Sequence, residues 1–209
     1  EVQLHIDKTI QPVALRHRLV AFHLRPKVEA ELRKLEAADI IEKVNGPTPW
    51  VSPIAVTRNP KQPGEVRLCV DMRLPNLAIK RERHLTPTVD DIVNEVAGSR
   101  WFSKMDLRSG YHQIQLAPES RHVTTFSTHL GLRRYKRLNF GISSAAKVFQ
   151  DIIRSVLTGL EGVLNVSDDI LVHVPTMEDH LTRFRAIFKR LKDSGLTLHR
   201  KKCVFYSDS

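Results

Sequence analysis

Three aspartates, Asp106, Asp168 and Asp169, have types and spacing that allow metal chemistry. Ionised carboxylates are hard oxygen donors, which magnesium and manganese prefer to imidazole or thiolate. Two such ions about 3.5–4 Å apart can clamp the attacking and leaving oxygens of a phosphoryl group and offset its extra negative charge. Nucleotidyl transfer needs such a set. Adjacent acids such as Asp168 and Asp169 cannot both be buried without cationic company. The competing reading makes them solvated turn residues and Asp106 a strand-end cap. The choice turns on whether the strands carrying them are neighbours in one sheet, which spacing does not decide.

The elements that must position these acids are read from periodicity and punctuation. Residues 101–106 alternate as a strand ending on the first acid, and residues 162–167 and 170–174 are two apolar strands meeting at Asp168-Asp169 as a hairpin. Upstream, the segment to His23 reads as an exposed arm. A helix follows, with Pro26 just inside its start and Val28, Leu32, Leu35 and Ile40 on one face. Gly46-Pro47-Thr48-Pro49 breaks the chain, and residues 51–57 and 66–71 form a hairpin around the basic turn 58–64. Thr88, supported by Asp91, begins a short helix that Gly98 ends. Strand-like runs cover 112–116, 123–128 and 133–138. A helix from about Ser144 turns Phe149, Ile153, Val156 and Leu157 inward and stops at Gly159. Thr176 caps the last helix with Asp179 in support, Leu181, Phe184, Phe188 and Leu191 form its apolar stripe, and Gly195 closes it. Hairpins mixed with helices, without βαβ alternation, predict an α+β fold.

Composition sets outer bounds. Thirty-three Lys and Arg against 23 Asp and Glu give a net charge of +10, a field that attracts polyanions, of which nucleic acid is the commonest. No apolar run approaches the ~20 residues of a membrane span, so no membrane partner is expected. The chain begins at Glu1 without a signal peptide or an initiator Met, so a fragment of a longer protein is expected. Cys69 and Cys203, far apart and in apolar strand-like settings, are expected to be buried free thiols. The histidines, including His173 and His180, form no zinc-binding series and are read as surface or interface residues.

Five motifs in order carry a resemblance. Met105-Asp106-Leu107-Arg108-Ser109-Gly110-Tyr111-His112-Gln113 resembles the aspartate-bearing palm motif of reverse transcriptases from gypsy-type LTR retrotransposons. Asn165-Val166-Ser167-Asp168-Asp169-Ile170-Leu171-Val172 is similar to that family's aspartate-pair hairpin. Leu138-Asn139-Phe140-Gly141-Ile142-Ser143-Ser144-Ala145 resembles its Phe-Gly element, and Arg67-Leu68-Cys69-Val70-Asp71-Met72-Arg73 its fingers strand. The run from Gly195 to Cys203 resembles the lysine-bearing motif that ends the palm.

The resemblance implies the fingers and palm of a right-hand polymerase, the palm an antiparallel sheet backed by helices, with the thumb absent. Fingers would comprise residues 1–84 and 117–143, and palm 85–116 and 144–209. It implies an RNA-directed DNA polymerase with two Mg²⁺ or Mn²⁺ ions on Asp106, Asp168 and Asp169, the Leu107 carbonyl as an extra ligand. Arg67 and Lys61 would bind the nucleotide's β- and γ-phosphates. Tyr111 would exclude a 2′-hydroxyl, and Phe140 and Gly141 would line the same pocket. Lys202, with Lys201 as the other candidate, would protonate the leaving pyrophosphate.

Partners implied are template-primer, deoxynucleotides, and thumb, connection and ribonuclease H domains of the same polyprotein. The implied location is intracellular, in a cytoplasmic virus-like particle or a nucleus. A fragment ending here is expected to polymerise weakly. Two positions depart from the pattern: Val166 stands where an aromatic is usual, and Ala146 where Pro is usual. A non-catalytic nucleic-acid-binding remnant is the second reading. A metal-dependent nuclease or integrase is the third, for which no further acid completes a site.

Overall fold

The pattern of apolar residues sorts this chain into strands of period two and helices of period 3.6. The computed structural model describes residues 1–58, 64–80, 89–166 and 169–208. In chain order these form α1 (Arg25–Ala37), β1 (Ile41–Lys43), β2 (Ser52–Arg58), β3 (Val66–Val70), α2 (Pro75–Ala78), α3 (Val89–Val96), β4 (Trp101–Asp106), β5 (Phe126–Thr128) and β6 (Gly131–Tyr135). Then come α4 (Ala145–Leu157), β7 (Val163–Val166), β8 (Asp169–Val174), α5 (Met177–Asp193) and β9 (Val204–Asp208). The fold is α+β. The chain divides into two compact units, residues 1–82 with 114–145, and residues 83–113 with 146–209.

The first unit is built on a five-stranded sheet in the order β1-β6-β5-β2-β3, antiparallel except where β2 runs parallel to β5. Pro26 sits in the first turn of α1, where its missing N–H costs nothing, and Val28, Leu32 and Leu35 are buried on one face. Ile40 lies beyond the helix. The N-terminal segment is mostly exposed, as expected, but it is anchored along its length: Leu4 and Val20 are buried, and Val2, Ile6 and Ala14 make single bridges to Leu116, Ile79 and Val51. These pairings join residues distant in sequence, so local pattern does not signal them. Cys69 is free, as expected, but exposed, because alternation along β3 turns it outward with Arg67. Cys203 is free and half-buried.

The second unit carries an antiparallel sheet ordered β7-β8-β4-β9. The bounds of β4 coincide with the expected strand. Helix α4 buries Phe149, Ile153 and Leu157, and α5 packs against β8. Thr176 caps α5 by accepting the Asp179 N–H at 3.1 Å. The buried stripe of α5 is His180, Phe184, Ile187 and Leu191, whereas Leu181 and Phe188 are exposed. His173 and His180 are therefore core residues, not surface ones.

Three runs expected as strands are shifted, shorter or absent, and that expected at 133–138 is β6, which ends at Tyr135. Residues 110–113 wind as a 3-10 turn, after Ser109 adopts a left-handed φ of 50°. Pro118–Thr124 is a 3-10 helix, so only Phe126–Thr128 of that run is a strand. Thr88 lies outside the described residues, as does most of the turn between β2 and β3.

Candidate active site

Strand β4 ends on the first acid and β8 opens on the third. In their antiparallel register Asp106 is the direct partner of Asp169, and Met105 that of Ile170. Such partners lie about 4.5–5.5 Å apart and present their side chains on one face. Along β4, Ser103 and Met105 are buried while Lys104 is exposed and Asp106 half-buried. The alternation places Lys104 and Asp106 on the same outward face.

Like charges directly opposite destabilise a sheet unless something neutralises them. Two lysines do so. Lys104 Nζ lies 2.7 Å from Asp169 Oδ2, and Lys202 Nζ lies 2.9 and 3.1 Å from the two carboxylate oxygens of Asp106. Lys104 makes its contact diagonally, because its own register partner is Leu171. Lys202 comes from the 3-10 turn Arg200–Lys202 before β9, and it is the lysine of the Lys201-Lys202 pair that reaches the acid. The Asp169 carboxylate, hydrogen-bonded to Lys104 and close in charge, raises the pKa of that ammonium. Both lysine side chains are about half exposed, at 53% and 47%. Exposed pairs of this kind contribute little to stability, because water screens them and ordering the long side chains costs entropy. Asp168 lies outside the described residues, as does Lys61.

Leu107 is buried and bridges Leu198. The bonds of that bridge run from Arg108 N–H to the Thr197 carbonyl (3.0 Å) and from His199 N–H to the Asp106 carbonyl (2.8 Å). They use the neighbours' groups, so the bridge leaves the Leu107 carbonyl uncommitted.

Beyond it, the half-buried Tyr111 meets the fully buried Phe149 edge-on, with centroids 5.4 Å apart. Gly110 makes room for that contact, since a Cβ there would lie 3.0 Å from Phe149 Cζ. Gln113 fixes the segment. Its Nε2 donates to the carbonyls of Arg108 (2.6 Å) and Thr197 (3.0 Å), and its Oε1 accepts from the Thr197 N–H (2.7 Å) and hydroxyl (3.2 Å). One amide thus ties the segment after Asp106 to the segment leading to Lys202.

In the first unit, Arg67 is exposed on β3, opposite Thr57. Phe140 is 63% exposed. Gly141 has φ +105°, and a Cβ there would approach Met72 Cγ to 3.2 Å. Asn76 holds this turn, donating to the Gly141 carbonyl and accepting from the Ser143 N–H, both at 2.8 Å. Asp71 is held well below the usual carboxylate range, chiefly by its hydrogen bond from Arg73, with Arg18 adding a second guanidinium.

The structure therefore gathers Asp106, Asp169, Leu107, Lys202 and Tyr111 in one unit, and Arg67, Phe140 and Gly141 in the other. Sequence reasoning missed Lys104, Gln113 and Asn76 and gave Phe149 only a core role. Only Lys104 had a local signal, its place two residues before Asp106 on an alternating strand. The donor set fits magnesium or manganese, because two half-exposed carboxylates face each other and each is balanced by an ammonium free to move into solvent. Among the described residues no three His, Cys, Asp or Glu converge on one point, and no helix is long and apolar enough to cross a membrane.

Residues 59–209 match the family model described as reverse transcriptase (RNA-dependent DNA polymerase). An uncharacterized protein of Caenorhabditis elegans is 31% identical over 207 residues, 98% of this chain and 16% of that protein. The retrovirus-related Pol polyprotein from transposon 412 of Drosophila melanogaster is 30% identical over 86% of this chain and 15% of its own length. The chain thus spans less than a fifth of these curated relatives. Among solved structures, a foamy viral protease-reverse transcriptase in complex with double-stranded DNA superposes with a TM-score of 0.85 at 20% identity. It covers 100% of this chain and 36% of that one. The same viral enzyme with an RNA/DNA hybrid gives a TM-score of 0.84 at 20% identity over 97% of this chain and 27% of that one. At such identity the likeness is one of fold.

Proposed function

Because the chain belongs to the reverse transcriptase (RNA-dependent DNA polymerase) family, we propose that it forms the polymerising core of a retroelement Pol protein. It would add deoxynucleotides to a primer 3′-hydroxyl on an RNA or DNA template. The observation that carries this reading is the register pairing of Asp106 with Asp169 on adjacent strands. Asp106, Asp168 and Asp169, with the Leu107 carbonyl, would hold two Mg²⁺ or Mn²⁺ ions. Such ions, when bound, favour the ionised primer hydroxyl and offset charge on the α-phosphate and the leaving oxygen.

The chain's own residues do the rest. Asp106 and Asp169 present carboxylate oxygens on one face of the sheet. Lys202 holds a proton beside that pair, 2.9 Å from Asp106, and would give it to the departing pyrophosphate. Tyr111, braced on Phe149, would close the space that a 2′-hydroxyl needs. Arg67 and Lys61 would take the β- and γ-phosphates, and Phe140 and Gly141 would line the nucleotide pocket.

In this reading residues 1–84 and 117–143 are the fingers, and 85–116 and 144–209 the palm. Thumb, connection and ribonuclease H domains of the same polyprotein would complete the grip on template-primer. The reaction would take place in a cytoplasmic particle or a nucleus.

The test is primer extension on an RNA template with Mg²⁺ or Mn²⁺, using the chain within its full Pol protein. Asp106→Asn should abolish extension while leaving affinity for template-primer nearly unchanged. Extension at the parent's rate by that variant would sink the assignment. A parent that binds template-primer but never extends it would mark a nucleic-acid-binding remnant.

A further inference from the structure

Lys104 has no part in the proposed reaction, yet it sits on the carboxylate pair. It lies two residues before Asp106 on the same outward face of β4 and reaches diagonally across to Asp169, 2.7 Å away. A lysine at a strand surface is free to point into water, and this one is 53% exposed even when paired. Its partner is the acid that faces Asp106 directly. Without a cation at that point, two carboxylates in register would repel and splay.

We propose that Lys104 is a positioning residue, the exchangeable counter-ion of the carboxylate pair. It holds Asp169 toward Asp106 while no divalent ion is bound and competes with that ion for the same carboxylate. This rests on the metal-binding reading of Asp106 and Asp169 given above.

The physical argument is a comparison of two partners for one anion. A half-exposed ammonium–carboxylate pair is weak, because water screens it and ordering the long side chain costs entropy. A divalent oxygen-seeking ion can displace it, and the exposed stem lets the ammonium swing into solvent without unpacking the core. The displaced charge stays attached nearby and still repels the ion. Withdrawn to about 8 Å in water, it weakens binding of a divalent ion about sixfold. Lys104 thus orders the site before the ion arrives, at a cost in affinity. Lys202 neutralises the other acid but is tied to a 3-10 turn rather than to the strand itself, so the two lysines are separable by mutation.

The experiment measures Mn²⁺ binding to the full Pol protein, without nucleotide, from the free-ion electron paramagnetic resonance signal. Binding lost in Asp106→Asn defines the site. Lys104→Gln should bind Mn²⁺ at that site about five- to tenfold more tightly than the parent, and Lys104→Arg should stay within about twofold of it, because arginine keeps the charge. Lys104→Met, which keeps the apolar stem, carries the same expectation if the glutamine variant folds poorly. Parent-like or weaker binding by a folded Lys104→Gln or Lys104→Met, with Asp106→Asn still defective, overturns the role of Lys104 alone. Unaltered Mn²⁺ binding in Asp106→Asn overturns the metal site itself.

Discussion

Replacing His180 with leucine should make the protein more stable, and the gain should grow as pH falls. His180 is fully buried on α5, stacked on Phe184 at 4.6 Å with Tyr206 edge-on at 5.4 Å. Among the described residues neither ring nitrogen has a hydrogen-bond partner. A buried polar group left unpaired costs about 1–3 kcal/mol. Leucine is close to histidine in volume and removes both nitrogens, while losing ring contacts that contribute roughly 0.5–1.5 kcal/mol. The net gain at pH 8 is about 1 kcal/mol, which raises the midpoint of thermal unfolding by about 2–4 °C for a protein of this size.

The pH dependence has a definite sign. Burial lowers the pKa of His180 below its ordinary 6.5, and lowers those of His112 and His173 likewise, the last against a smaller opposing effect of Glu95. The unfolded chain therefore takes up protons that the folded chain refuses. Stability is fully present above pH 6.5 and falls as pH drops from there toward the folded-state pKa values, by up to about 1.4 kcal/mol per pH unit for each histidine. His180→Leu removes one of the three contributions, so its advantage over the parent should widen as pH falls from about 6.5 to about 5.5. Calorimetric melting of parent and variant across that range is the assay. A variant less stable than the parent at pH 8, or one whose stability falls with pH as steeply, would refute the reasoning.

Gln113→Ala removes an amide that makes four hydrogen bonds. Because the freed backbone groups are exposed to water, the expected cost is only about 1–2 kcal/mol, measured by denaturant titration, but primer extension should fall more than stability does, since the segments carrying Tyr111 and Lys202 come loose. Gly110→Ala should cost about 1–3 kcal/mol by pressing a methyl group on the Phe149 ring. In the same variant, incorporation of ribonucleotides relative to deoxynucleotides should rise as Tyr111 shifts, and unchanged discrimination would separate Tyr111 from sugar selection.

How much of the fold and site is legible in the sequence depends on whether the deciding forces are local. Strand β4 can be bounded because turn-forming residues flank it, Gly98-Ser99 before and Ser109-Gly110 after. The shape of β7 and β8 is equally plain, with two apolar runs flanking acids. That Asp106 pairs with Asp169 is not, because register belongs to the sheet and is set by which strands are neighbours. On α5 the stripes 181-184-188-191 and 180-184-187-191 both fit a 3.6-residue period and share Phe184 and Leu191. Choosing leucine over histidine gives the wrong one, because the fold buries an imidazole that hydropathy would leave outside.

The segment after Asp106 reads as resuming strand form by residue 112, whereas the left-handed Ser109 and the contact of Gly110 with Phe149 wind it into a 3-10 turn. A partner distant in sequence decides that, and no local pattern reports it. Lys104 is the instructive case between these extremes. Its spacing from Asp106 is enough to put both on one face of a strand, but the acid it serves is visible only through the register. Period-two reasoning can therefore nominate the counter-ions of a carboxylate on a strand, and only the neighbouring strand can say which carboxylate each one holds.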